Sequence, residues 1–138
     1  MQAMRWGVRL LVLMVLSGGC FAQSVTQSTL PGSVLHVVLL QFKPEVTAGQ
    51  INQTIEQSIL QLRQIPGVIA VDAGLKLRDD RPVHIKDFQV GIMVRLSDPA
   101  ALDAYAGHGL HKAFLQQHQA LFSKIQVIDF SSAAPAAP

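Results

Sequence analysis

Between residues 105 and 114 the chain runs Tyr105-Ala-Gly-His-Gly-Leu-His-Lys-Ala-Phe114, which brings one phenol, two imidazoles and two glycines into ten positions. A histidine, with an ordinary pKa of about 6.5, takes up and releases protons near neutral pH. A tyrosine hydroxyl can donate a hydrogen bond to a carbonyl oxygen as it becomes an enolate. Tyr105 with His111 therefore suits enolisation or an aldol-type ring closure, and such a reaction needs no metal. The plainer alternative is architectural. Tyr105 and His111 would then join two helices, with the imidazole bonded to a backbone carbonyl.

Metal ligation is the other chemistry that these histidines could serve. His108 and His111 are three residues apart and His118 lies seven beyond His111, spacings that bring imidazoles to one helical face. Gly109 weakens the helix between the first two, and no cysteine or carboxylate in the segment completes a ligand set. No metal is expected there. Asp79, Asp80 and Asp87 lie in a charged, proline-broken stretch flanked by three basic residues, which reads as a solvated hairpin loop. His84 belongs to the surface of that loop.

The flanking segments must position this cluster. Val34 to Phe42 is apolar at nearly every position and reads as a central strand covered on both sides. Its pleat sets His36, Val38, Leu40 and Phe42 on one face and Leu35, Val37, Leu39 and Gln41 on the other. Pro44 ends it. Thr47 with Gln50 forms a capping box, and Ile51, Ile55, Ile59 and Leu62 follow as the buried stripe of an amphipathic helix. Ile65-Pro-Gly67 stops that helix.

Val68 to Leu77 alternates as a second strand, and Phe88 to Leu96 as a third with Phe88, Val90, Ile92, Val94 and Leu96 on one face. Asp98 caps the next helix with Pro99 at its first position. That helix runs through Leu102 and Tyr105 and is interrupted by Gly107 and Gly109. A second helical pattern carries Leu110, Phe114 and Leu121. Ile125 to Phe130 closes the order as a fourth strand.

Strand, helix, strand, strand, helix, strand is the split β-α-β order of an α+β, ferredoxin-like domain: a four-stranded antiparallel sheet with its helices on one face. The other face is left without a cover. Val38, Leu40 and Phe42 are expected to make it apolar, at roughly 1.5 to 3 kcal/mol for each such side chain fully buried. A second subunit is expected to bury it, so that two sheets close a dimeric α/β barrel.

Composition bounds the class. At 138 residues, 49% hydrophobic and 14% charged, the chain has material for one packed domain and is unlike a disordered one. Residues 1–22 read as a secretory signal peptide: Arg5 and Arg9, then the apolar run Leu10 to Leu16, then small residues. The run is shorter than the roughly 20 residues that a membrane-spanning helix needs. Cleavage before Gln23 gives a soluble exported protein, periplasmic or secreted. Alternatively Leu16-Ser-Gly-Gly-Cys20 resembles a bacterial lipoprotein box, which would lipidate Cys20 and anchor the chain to a membrane.

A lone cysteine forms no internal disulfide. Of the 11 Lys and Arg, Arg5 and Arg9 leave with the leader, so nine remain against nine Asp and Glu. A neutral domain without a basic run excludes a nucleic-acid partner. Residues 23–33 read as a linker and 131–138, rich in Ala, Ser and Pro, as a disordered tail.

Taken jointly, Leu35-His-Val-Val-Leu-Leu-Gln-Phe-Lys43, Ile65-Pro-Gly-Val68 with Gly74, Asp87-Phe88, Tyr105, His108, His111, Phe114 and Asp129-Phe130 resemble the stress-responsive A/B barrel (Dabb) family over residues 34–130. The resemblance implies a ferredoxin-like monomer that pairs into a dimeric α+β barrel. Most members of that family have no established activity. One branch, the plant olivetolic acid cyclases, closes linear polyketides by an aldol step that uses a tyrosine and a histidine. Those positions match Tyr105 and His111, and His36 matches a histidine on the first strand. Val90 stands where that branch has another histidine, and Gly109 replaces a proline.

Three functions are then in play. The first is binding of a small apolar or aromatic molecule between sheet and helices, against His36, Val90, Met93 and Phe114 beside Tyr105 and His111. The second is a cyclase or lyase in which Tyr105 and His111 are the acid/base pair. The third is a ligand-free structural dimer of the stress response. No cofactor is implied by any motif.

The leader supplies the first test. Intact-mass measurement of the exported protein is expected to give a chain beginning at Gln23 and free of lipid. A diacylglyceryl group on Cys20 would overturn the soluble reading.

Overall fold

A computed structural model of the chain describes residues 32–133. The leader of residues 1–22 with Cys20, nearly all of the linker, and the tail beyond 133 lie outside the described residues. Four strands, β1 (Val34–Phe42), β2 (Val68–Leu75), β3 (Val90–Leu96) and β4 (Phe122–Ser131), form one antiparallel sheet in the order β2-β3-β1-β4. Helices α1 (Ala48–Leu62), α2 (Pro99–Gly107) and α3 (Gly109–His118) pack on one side of it, and a single 3-10 turn, Gln119–Leu121, leads from α3 into β4. β4 reaches Ser131, the first residue of the segment read as a tail.

Local signals act as their chemistry requires. Thr47 and Gln50 cap α1 reciprocally. The Asp98 carboxylate accepts from the Ala101 N–H at 2.8 Å, and that bond holds its pKa below the ordinary carboxylate value. Gly67, in the turn between α1 and β2, has φ +87°, and a Cβ there would stand 2.7 Å from the Ala101 Cβ. Both the backbone and the seating of α2 therefore require glycine. The Gly67 carbonyl also accepts from Ser97 N–H at 2.9 Å, which anchors the approach to α2.

The core lies between sheet and helices. β1 contributes Val34, Leu40 and Phe42, β3 contributes Val90, Ile92, Val94 and Leu96, and the helices close over them with Leu62, Tyr105 and Phe114. This corrects one expectation. Val38, Leu40 and Phe42 share the helix-covered side with His36, and the bare side of β1 carries Leu35, Val37 and Leu39. Alternation fixes which residues share a face but not which face the helices choose.

Two further boundaries move. β2 ends at Leu75, and β3 begins at Val90, which frees Phe88 to lie against the bare face beside Lys76. In α1 the deepest residues are Thr54, Ser58 and Leu62, with Ile51 and Ile55 only partly buried. The polar pair is admissible because each hydroxyl donates to its own helix, Thr54 to the Gln50 carbonyl and Ser58 to that of Ile55. Small residues on this stripe let α1 approach α3 closely.

His118 occupies that approach. It is 3% exposed, its Nδ1 lies 3.1 Å from the Thr54 hydroxyl, and its ring stacks at a tilt on Phe114. Its Nε2 is buried without a partner. Desolvation pushes its pKa below the ordinary value, so folding favours the neutral ring. As pH falls through about 6.5 the unfolded chain takes up the proton first, and stability present at neutral pH is lost. The urea midpoint is expected to drop between pH 7.5 and pH 5, and to drop less in His118→Leu. Equal pH slopes for the two proteins would show that His118 is not a source of the acid sensitivity.

Candidate functional site

The helix-facing side of β1 places His36 opposite Asp129 of β4. The His36 Nδ1 lies 2.6 Å from a carboxylate oxygen of Asp129. A carboxylate only accepts, so Nδ1 carries a proton and donates to it, which turns Nε2 away from Asp129. Asp98 and Pro99 start α2 so that, two turns later, Tyr105 points into the core above His36, with ring centroids 5.6 Å apart. The helix then breaks. His108 caps the next one, its Nδ1 accepting from the Leu110 N–H at 3.2 Å, and the turn so formed brings His111 to 4.6 Å from the Tyr105 ring.

His111 Nδ1 lies 3.2 Å from the Ala106 carbonyl. That contact makes Nδ1 the donor and leaves Nε2 free. Burial pushes the His111 pKa below its ordinary value; the bond to Ala106 opposes the shift and nearby His36 adds to it. The ring is therefore neutral at pH 7. Tyr105 is 2% exposed, and burial raises its pKa far enough that the phenol stays protonated. Among the described residues no group hydrogen-bonds its hydroxyl. The arrangement thus sets the Tyr105 ring between two imidazoles, of which His111 offers a basic nitrogen.

These groups border a cavity of about 40 Å³, closed by Val38, Ile92, Leu115 and Phe114 and reaching Ile125 of β4. It has room for a few heavy atoms only. At its β4 end Ile125 and Val127 are about half exposed and extend the apolar lining to the surface. A larger hollow, about 400 Å³, lies on the opposite side of the sheet, remote from all of this chemistry.

Of the residues expected to form a site, Tyr105, His111, His36 and Phe114 come together. Met93 does not. It shares the bare face with Val37, its register partner, so the sheet stands between it and Tyr105. Val90 is fully buried in the core, and Ile92 is the β3 residue that reaches the cavity. His108, His111 and His118 separate into a cap, a cavity wall and the α1 contact. Among the described residues no three His, Cys, Asp or Glu side chains converge as a metal site would need. His84 stays in its loop, accepting from the Arg81 N–H.

Asp129 is the residue that sequence reasoning passed over as a site group. It was visible only as part of Asp129-Phe130, and its partner His36 is 93 positions away. The available signal was a single carboxylate beside the apolar Val127, Ile128 and Phe130.

Comparison with known proteins agrees with the fold. None of the curated proteins matches the sequence. Solved structures do. A hydroxynitrile lyase from Passiflora edulis superposes with a TM-score of 0.66 at 18% identity, covering 78% of this chain and 99% of that one. A dimeric ferredoxin-like protein of unknown function from Thermobifida fusca gives 0.64 at 18% identity over 75% of this chain and 93% of that one. A Dabb family protein with a ferredoxin-like fold from Mesorhizobium loti gives 0.61 at 23% identity over 75% and 99%. Such identities carry the fold alone. The model of the Stress responsive A/B Barrel Domain matches residues 34–132, nearly the whole described chain, and the protein therefore belongs to the Dabb family.

Proposed function

We propose that the protein is an exported homodimer that binds a small apolar or aromatic molecule through an acceptor oxygen. The observation that carries this reading is the Tyr105 side chain, set between the His36 and His111 rings at the wall of a cavity, with no hydrogen bond to its hydroxyl among the described residues. A bound acceptor oxygen would give that hydroxyl a partner. The cavity takes only the oxygen and the atoms next to it, while the apolar body lies over Ile125 and Val127. Leader-like residues 1–22 support export, and similar solved proteins described as dimeric support pairing.

Acetophenone is a suitable probe because it joins an aromatic ring to one acceptor oxygen. Titrated into the protein and followed by amide NMR, it is expected to move residues 105–111, His36 and 125–129 together. Tyr105→Phe is expected to weaken binding by about 5- to 10-fold, the worth of one hydrogen bond. Shifts confined to Val37 and Met93, or equal affinity for Tyr105→Phe, would sink the assignment.

A second reading has its own support in the free Nε2 of a neutral His111 and in the likeness to a hydroxynitrile lyase. In this lyase-type reaction His111 takes the hydroxyl proton of a cyanohydrin. The bond between the carbinol carbon and the nitrile carbon breaks, the aldehyde forms, and cyanide leaves and recovers the proton. Tyr105 steadies the oxygen throughout. Benzaldehyde release from mandelonitrile should then fall at least 100-fold in His111→Ala, as expected for loss of a general base. It should also decline as pH drops below 6.5 and the base is protonated. Equal release by the two proteins would reject a lyase role for His111.

A further inference from the structure

Helix α3 brings His111, Phe114 and Leu115 to the wall of the Tyr105 cavity, yet it packs on α1, α2 and the 3-10 turn more than on the sheet. At its start Gly107 and Gly109 flank His108. Neither has a positive φ, and a Cβ at either would meet nothing within 4 Å. No steric need calls for glycine there, so what the pair supplies is backbone freedom at the joint between α2 and α3, as a hinge requires. Beyond the far end of α3 the chain is pinned again, where the Lys43 N–H donates to the Leu121 carbonyl at 2.9 Å.

Between hinge and pin, His118 is the polar fastening of α3 to α1. The Thr54 hydroxyl donates its one proton to the Gln50 carbonyl at 2.9 Å, so toward the His118 Nδ1, 3.1 Å away, it only accepts. Nδ1 therefore donates. A proton on Nε2 as well would make a buried cation whose second N–H has no acceptor, since Nε2 lies buried without a partner. The groups that face the ring are uncharged: Thr54, itself fully buried, from α1 and Phe114 from α3. Burial alone displaces its titration, so no charged side chain of α1, α3 or the sheet stands ready to hold an imidazolium. In water, by contrast, the last turn of a helix favours a cation.

We propose that α3 is a lid over the Tyr105 cavity, hinged at Gly107 to Gly109 and latched to α1 by His118 on Thr54, and that acid opens it. The inference rests on the reading of that cavity as a ligand site and adds its regulation. Closed, the cavity of about 40 Å³ admits an acceptor oxygen and little else. Opening carries Phe114 and Leu115 outward on the one helix, and a whole aromatic ring can then enter. Below about pH 6.5 the released imidazole takes a proton that the closed contact cannot accommodate, so the open form gains weight as pH falls.

Toluene is the probe, because it has the bulk of an aromatic ring and no acceptor oxygen for Tyr105. Its uptake is read from the methyl shifts of Ile92 and Leu115, which line the cavity. The wild type is expected to bind toluene at least about threefold more tightly at pH 5 than at pH 7.5, and an ordinary histidine pKa of about 6.5 allows up to about 30-fold. His118→Leu, which has no proton to gain, should lose that difference. Thr54→Val takes away the acceptor of the Nδ1–H and should raise toluene affinity at pH 7.5 about fivefold or more.

Equal wild-type affinity at the two pH values, no uptake at either, or a folded His118→Leu that keeps the difference overturns the latch. Where His118→Leu does not fold, Thr54→Val decides alone, and an affinity at pH 7.5 unchanged from wild type overturns the latch as well. Acetophenone binding at pH 7.5 that depends on Tyr105 would survive every one of these failures, so the site and its regulation fall separately.

Discussion

The register of β1 between β3 and β4 is the constraint on which the rest depends. Because side chains alternate, one choice of pairing assigns every residue of the sheet to a side. The observed register puts His36 across from Asp129 and under Tyr105, and it puts Leu39 across from Gly91 on the reverse. A slip of one residue would bury Leu35, Val37 and Leu39 beneath the helices and push an imidazole into the bare face. Because Val38, Leu40 and Phe42 would leave the core as those three enter it, hydrophobic burial changes less than the roughly 1.5 to 3 kcal/mol per side chain would suggest. The His36–Asp129 bond and the seating of Phe42 against Phe122 add to the preference for the observed register.

Within the site, burial works on Tyr105 and His111 in one direction, toward the neutral form. Tyr105 keeps its proton and His111 stays without a second one. Hydrogen bonds then choose the tautomer: Asp129 and the Ala106 carbonyl each occupy a Nδ1 and leave a Nε2. A phenol donor beside the basic Nε2 of a neutral His111 results. That suits an uncharged ligand with a carbonyl or hydroxyl oxygen better than an anion, which would want a cation that these walls do not supply. His118 follows the same desolvation logic at the α1–α3 contact.

Local chemistry was legible in the sequence wherever the cause lies within a few residues. The Thr47 and Gln50 capping box, the Asp98-Pro99 helix start, the stop at Gly67 and the break at Gly107 to Gly109 all act as their residue types require. The strand order followed from them, and with it the nearness of Tyr105 and His111. Failures came where the cause is tertiary. Parity along β1 and β3 was readable, but the side chosen by the helices was not, so Met93 was sent toward the wrong face and Val38 was counted on the bare one. In α1 the isoleucines drew attention from Thr54 and Ser58, whose hydroxyls are satisfied by their own helix and so lose their claim on water. The His36 and Asp129 pair joins the first strand to the last, and nothing local announces it.

The two faces of the sheet meet in β4. It is an edge strand, held within the chain by β1 alone, and its alternate residues serve opposite sides: Ile125, Val127 and Asp129 toward the site, Ile128 and Phe130 toward the bare face. An edge strand with about half of its large side chains' surface exposed on both faces has little to hold it flat. Packing of Ile128 and Phe130 against a second sheet would restrain β4 from behind. The same restraint would keep the Asp129 carboxylate within hydrogen-bond reach of His36 and the apolar strip of Ile125 and Val127 in line with the cavity. Pairing of subunits and order at the site would in this way be coupled through one strand.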